Sequence, residues 1–270
     1  GRLDAFVVRH AAFIDETIAR FDRESGFFVS YLAFIDPLKS VGLSFCHPDV
    51  SVSSKETSVV KSFDLALATK LLKEKGTVVC NDFHLSGVER LIVVSGPNQG
   101  GKTTFARMFG QLHFLACLGC PVPGQSARLF LPDHLFTHFE REEDITNLRG
   151  KLEDELVRLH QSCEVMTSNS VIVLNEIFNS TSLDDQVFLS TKVLEQILTA
   201  DAIGVCVTFI DALSTLSEKT VSMVSTVDPD DPARRTFEII RKAADGLAYA
   251  LSLAQKRGVT YEKLRTRVQP

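Results

Sequence analysis

Apolar positions fall into two regimes along the chain. Near the start they recur at helical spacing. Leu3, Phe6, Val7, Phe13, Ile14, Ile18 and Phe21 share one helix face, and Phe27, Phe28, Tyr31, Leu32, Phe34 and Ile35 define a second helix that stops near Pro37. These helices carry many of the 19 Phe residues. Their greasy face is either core or a docking place for upstream chain, and core is the expectation. After Cys46-His47-Pro48, residues Val50 to Val60 show no strong helical signal. Short continuous apolar runs then take over: Val78-Val79-Cys80, Leu91 to Val94, Val171 to Leu174 and Ile203 to Val207. Each is ended by polar, Gly or Pro residues, as suits strands buried on both faces. Helical stretches alternate with them, from Lys102 to Leu118 (stopped by Gly119 and Pro121) and through Leu148, Leu152, Leu156 and Leu159. Glu140 to Asp144 reads as a solvated loop, Thr236 to Lys242 as a late edge strand and Gly246 to Lys256 as a closing helix. The pattern predicts an α/β fold, a mostly parallel sheet flanked by helices and preceded by a small helical segment.

Length and composition narrow the function classes. With 270 residues, 44% hydrophobic and 23% charged, the chain suits one full-sized α/β domain plus a smaller appendage, and not a disordered or fibrous protein. A net charge of −5, from 34 acidic and 29 basic side chains, argues against nucleic-acid binding by phosphate neutralisation through this segment. No apolar run approaches the roughly 18 residues of a membrane span, so no membrane partner is expected. Six scattered cysteines point to a reducing, cytoplasmic setting. His113, Cys117 and Cys120 would share a helix face, but a structural zinc site needs four ligands and no second pair follows, so they read as packing groups. The opening Gly1-Arg2-Leu3, without a starting Met or signal peptide, is expected of a piece of a larger protein.

The sharpest chemistry lies in Gly96-Pro97-Asn98-Gln99-Gly100-Gly101-Lys102-Thr103, directly after one predicted strand and opening a helix. Glycines at this spacing let successive N–H groups converge on an anion, and the helix N-terminus adds its positive end. Lys102 can supply charge to β and γ phosphates, and Thr103 a hydroxyl to Mg²⁺. The run Val171 to Leu174 ends in Asn175-Glu176, where Glu176 is a candidate base for water attacking a γ phosphate. Asn175 stands where an Asp that helps hold magnesium is usual, and an amide brings no negative charge to the metal.

These residues, extended to Thr104, resemble the phosphate loop of the MutS mismatch-repair ATPases. Asn81-Asp82 is similar to that family's Pro-Asn-Asp turn, Leu118 to Gly124 to its Ile-Gly-x-Phe-Val-Pro-Ala, and Phe136-Thr137-His138 to its Phe-Thr-Arg. Ser180-Thr181-Ser182 with Asp185 resembles the loop after its Asp-Glu pair. The resemblance implies residues 1–45 as a helical end of the lever region and 46–270 as a P-loop, ABC-type ATPase domain. It also implies a homodimer closing over ATP and Mg²⁺, with DNA held by upstream domains. The nucleotide-binding residues would be Gly96 to Thr104, the metal residues Thr103 and Asn175, and the catalytic pair Lys102 and Glu176.

Several positions depart from the family. Its Ser-Thr pair, which reaches the partner's γ phosphate, is missing from the window Leu148 to Glu153; Arg149 or Lys151 either supplies charge there or is an exposed helix residue. Phe209 takes the place of its switch histidine, and Val78 that of the aromatic stacked on adenine. Together with Asn175, these changes place the chain on a divergent branch. The expected activity is Mg²⁺-dependent ATP hydrolysis at a dimer interface. The alternative is a nucleotide-binding dimerisation switch with negligible turnover, favoured by Asn175 and the missing Ser-Thr pair and disfavoured by Glu176. A small-molecule kinase is disfavoured because no lid of clustered arginines is present.

Overall fold

Three uninterrupted apolar runs form the centre of the molecule. The computed structural model describes residues 1–3, 5–6, 15–139, 150–231, 234–244 and 265, and the chain divides into two units, Gly1–Leu43 and Ser44–Pro270.

In the first unit, helix α1 (Glu16–Ser40) begins at Asp15, whose side chain accepts from the Thr17 N–H. The break expected between Phe21 and Phe27 is absent, and α1 continues past Pro37 by most of a turn. A proline ring removes one ladder bond without forbidding helical φ, so a helix about to end accommodates it. The Phe-rich face is not core. Burial along it reaches only Ile35 and Leu38, while Phe21, Phe27, Phe28 and Phe34 are exposed. The first predicted helix falls largely on residues 7–14, outside the described residues.

The second unit is built on a six-stranded sheet, ordered β12-β11-β5-β10-β9-β8. Its strands are β5 (Leu91–Ser95), β8 (Leu135–His138), β9 (Val171–Asn175), β10 (Ile203–Val207), β11 (Thr220–Val227) and β12 (Arg235–Arg241). All neighbours are parallel except β12, which pairs antiparallel with β11. Strands β5, β9 and β10 are buried at every residue, as continuous apolar sequence requires. Helices α3 (Lys102–Cys117), α4 (Lys151–Val165) and α5 (Leu183–Thr199) connect them. Leu159, Ile172, Leu174, Phe178, Leu194 and Ile197 form part of one core beneath α4 and α5. The mixed α/β architecture with a mostly parallel sheet is the one the pattern predicts.

A smaller four-stranded sheet, ordered β2-β7-β3-β4, lies beside it, formed by β2 (Asp49–Ser51), β3 (Thr57–Ser62), β4 (Asn81–Leu85) and β7 (Ser126–Phe130), with α2 (Leu65–Glu74) between β3 and β4. A two-residue pair, β1 (Phe45–Cys46) and β6 (Val122–Pro123), completes the unit. Val78-Val79-Cys80 is not a strand: β4 starts only at Asn81, and Val78 and Val79 turn to line a cavity. The predicted loop at 140–144 and closing helix at 246–256 lie outside the described residues. Among the described residues no helix is long and apolar enough to cross a membrane.

Candidate functional site

Strand register brings the chemistry to one edge. Val94 of β5 is level with Val207 of β10, and Val207 with Asn175 of β9. The ladder runs one residue further, with Thr208 N–H donating to Val94 O (3.0 Å) and Glu176 N–H to Val207 O (2.9 Å). The glycine loop, Asn175-Glu176 and Thr208-Phe209 therefore leave the sheet side by side at its carboxyl edge, where open parallel sheets take ligands.

The glycine loop bends through positive φ at Gly96 (111°), Gln99 (60°) and Gly101 (91°). A side chain at Gly96 would press on the Ser225 carbonyl, which requires glycine there. The buried Ser225 hydroxyl, one strand over on β11, donates to Gly100 O at 2.6 Å. Arg235 Nε braces the other limb by donating to Asn98 O (3.0 Å). Helix α3 starts at Lys102 with no side-chain cap. Its first N–H groups thus lack intrahelical partners and face the loop, a favourable place for an anion.

Lys102 is 4% exposed. Its Nζ donates to Gly96 O (2.9 Å) and Pro97 O (3.1 Å) and lies 4.2 Å from the centre of the Phe209 ring. Burial pulls its pKa down to about 8, against the opposing charge of Glu176 and with a lesser push from Arg235.

Beside the loop is a cavity of about 410 Å³. Its lining includes the polar Asn98, Gln99, Lys102, Thr103 and Glu176 and the apolar Phe63, Leu67, Leu71, Val78 and Met108. Phe237 forms a wall that the sequence did not reveal. Between the pairs Ser225–Ile239 and Val227–Arg235 the β11–β12 register shifts, and in this bulge Phe237 takes φ 62°. Asn81 fixes the bulge, donating through Nδ2 to Phe237 O (3.2 Å) and accepting from Ile239 N–H (2.7 Å). Such a contact needs the two sheets placed together, and no sequence spacing carries that.

Beyond β9 the backbone turns left-handed twice, at Glu176 (φ 52°) and Phe178 (φ 58°). Each such residue costs about 1–3 kcal/mol and persists only where its surroundings hold it. Glu176 N–H is held by β10, Ile177 O accepts from Gln186 Nε2 (3.0 Å), and Phe178 N–H donates to the Glu155 carboxylate of α4 (3.0 Å). Hydrogen bonds to charged groups contribute about 1.5–3 kcal/mol, enough to offset such strain. Asn175 Oδ1 is buried with no protein partner, and Thr103 is exposed at the cavity mouth. A lone hydroxyl, an amide oxygen and one carboxylate form a hard oxygen set. It fits Mg²⁺, which keeps several waters and relies on phosphate oxygens for the rest. Among the described residues no three His, Cys, Asp or Glu side chains cluster as metal ligands. His113 is turned to Phe109 O (2.9 Å) inside the core.

The structure thus brings Asn98 to Thr104 and Glu176 to the lining of one cavity, while Gly96 and Pro97 stand behind Lys102 and Asn175 ends β9 just before Glu176. Phe209, read from sequence as a lost contact, packs on Lys102. Lys151 opens α4, and Arg149 lies outside the described residues.

Comparison with known proteins points one way. Residues 92–261, more than half of the chain, match the family model MutS domain V. The chain is 33% identical over 139 residues to the DNA mismatch repair protein MutS of Rickettsia bellii, covering 52% of this chain and 16% of that protein. It is 26% identical over 224 residues to the DNA mismatch repair protein MutS of Orientia tsutsugamushi, covering 80% of this chain and 25% of that one. The chain therefore spans a quarter or less of the length of these relatives.

Proposed function

The chain belongs to the MutS domain V family, and from that premise we propose that it is a P-loop ATPase domain, residues 46–270, preceded by the helical end of a lever region at 1–45. It binds ATP with Mg²⁺ and hydrolyses it as a homodimer, in the cytoplasm, to move DNA-contacting domains elsewhere in a longer protein. Asn175, Phe209 and Val78 mark it as a divergent branch.

The observation that carries this reading is Lys102 and Glu176 on one 410 Å³ cavity at the carboxyl edge of a parallel sheet. The loop N–H groups and Lys102 hold the β and γ phosphates, while Thr103 and Asn175 would hold the metal. Bound Mg²⁺ would neutralise phosphate charge. Glu176 takes a proton from water, whose oxygen bonds to the γ phosphorus as the bond to the β–γ bridging oxygen breaks, leaving ADP and phosphate. The apolar part of the cavity lining accepts the base.

The amide at Asn175 favours a second reading, in which nucleotide is held and dimerisation switched with negligible turnover. Steady-state ATP turnover with Mg²⁺ over a wide range of protein concentration, with Lys102→Ala as blank, separates the two. Specific activity rising with concentration supports a site completed by a second copy. Glu176→Ala should bind nucleotide without turning it over, and wild-type rates in that variant would remove Glu176 from its role. Bound nucleotide with no turnover at any concentration supports the switch.

A further inference from the structure

Glu155 is only 6% exposed, and its acidic group sits deep between α4 and the end of β8. One oxygen, Oε1, accepts both from His138 Nε2 (3.1 Å) and from Phe178 N–H (3.0 Å), while Oε2 is buried with no protein partner. A carboxylate placed this way is poor value for stability alone, since well-packed apolar side chains do as well or better there. Its geometry matters more than its charge. The Glu155 hydrogen bond holds the backbone two residues beyond Glu176, and β10 holds Glu176 N–H itself. Between those two anchors lies the left-handed turn at Glu176, with the one at Phe178 directly after, so the direction of the Glu176 side chain is set by where each anchor stands.

We propose that Glu155 is a positioning residue: braced by His138, it clamps the Phe178 amide and so aims the Glu176 carboxylate into the cavity beside Lys102. The proposal rests on the reading of Glu176 as the base, and it concerns a residue that does not line the cavity. His138 completes the clamp. It lies at the end of β8, level with Leu174 of β9, and its imidazole fixes the Glu155 oxygen that Phe178 uses.

The test compares Glu155→Ala, Glu155→Asp and Glu155→Gln in the whole 270-residue chain by amide hydrogen exchange, ADP affinity and ATP turnover. Asp keeps a buried carboxylate but is one methylene too short to reach the Phe178 amide, which guards against an Ala variant that fails to fold. Gln keeps an acceptor oxygen at full reach. The expected result is exchange at Phe178 faster by about tenfold or more in the Asp and Ala variants. Turnover should fall by about tenfold at nearly unchanged KM and ADP affinity, with Gln recovering most of both. Unchanged exchange in Asp and Ala overturns the proposal, as does a loss of turnover matched by equal losses of ADP affinity and unfolding midpoint. A wild-type chain with no turnover defeats the hydrolase reading alone; the exchange comparison then decides the clamp by itself.

Discussion

The Lys102 ammonium rests 4.2 Å from the centre of the Phe209 ring while the carbonyls of Gly96 and Pro97 accept its protons. The lysine is thus held by its own loop, and burial brings its pKa down to about 8. A phosphate binds the charged form. Nucleotide affinity should therefore be flat below pH 8 and weaken as pH rises through 8, by up to about tenfold per pH unit until the pKa of the occupied site is reached. Titration calorimetry with ADP from pH 7 to 9.5 reads this directly. Phe209→Leu removes a ring contact of about 0.5–2 kcal/mol that competes with phosphate for the ammonium. It should tighten ADP by a few-fold and, because the ring favours the charged ammonium, move the pH midpoint downward. Weaker binding by that variant would mean the ring touches nucleotide itself.

Ser225 ties the loop to β11. Losing its hydrogen bond to Gly100 O in Ser225→Ala should cost about 1 kcal/mol and loosen nucleotide binding by roughly fivefold. Gly100→Ala should be worse, since its Cβ would overlap the Ser225 hydroxyl and approach Pro97 O to 3.0 Å. Adding Ser225→Gly to Gly100→Ala should recover part of the loss. An unfolding midpoint for Gly100→Ala equal to that of the wild type would show that β11 yields to the loop.

Particular residues show what was legible in the sequence. The strands β5, β9 and β10 announce themselves because burial on both faces demands uninterrupted apolar runs. The glycine loop is legible because its spacing has a local cause. Strand β11 hides because Thr220, Ser222, Ser225 and Thr226 interrupt its apolar residues, yet Ser225 is fully buried against the loop. Val78-Val79-Cys80 looks like a strand by composition, but its apolar residues serve a cavity instead of a sheet. Phe237, the Lys102–Phe209 contact and the Glu155 clamp join residues from 17 to over 100 positions apart, so only the fold reveals them.

Phe237 should act on the base end of the ligand. It lies in the bulge of β12 with its backbone held by Asn81, about half-exposed at the cavity wall. An aromatic platform of this kind contributes about 1–3 kcal/mol to a stacked base. Phe237→Ala should weaken ATP by roughly ten- to a hundredfold while leaving binding of inorganic triphosphate unchanged. Because Ala at φ 62° keeps the strained backbone, Phe237→Gly separates the two effects, restoring stability but not base affinity. Equal losses for ATP and triphosphate would place Phe237 in loop support instead.

His113 should set the acid limit of stability. It is fully buried on α3, donates to Phe109 O at 2.9 Å and packs 4.5 Å from the Phe109 ring, with Nε2 lacking any protein partner. Burial lowers its pKa to about 4, so the folded chain keeps it neutral while the unfolded chain protonates near 6.5. Between those values the unfolded state binds the extra proton. Stability is therefore fully present above pH 6.5 and falls as pH drops toward 4, by on the order of 3 kcal/mol over the whole window. The Asp201 carboxylate, held low by Lys55, Lys219 and Arg90 against its own desolvation, adds its loss only below the ordinary carboxylate range. Urea unfolding at pH 7.5, 6 and 5 separates them. His113→Leu should flatten the decline between pH 6.5 and 5, and a variant that keeps the wild-type slope would assign the acid sensitivity to other groups.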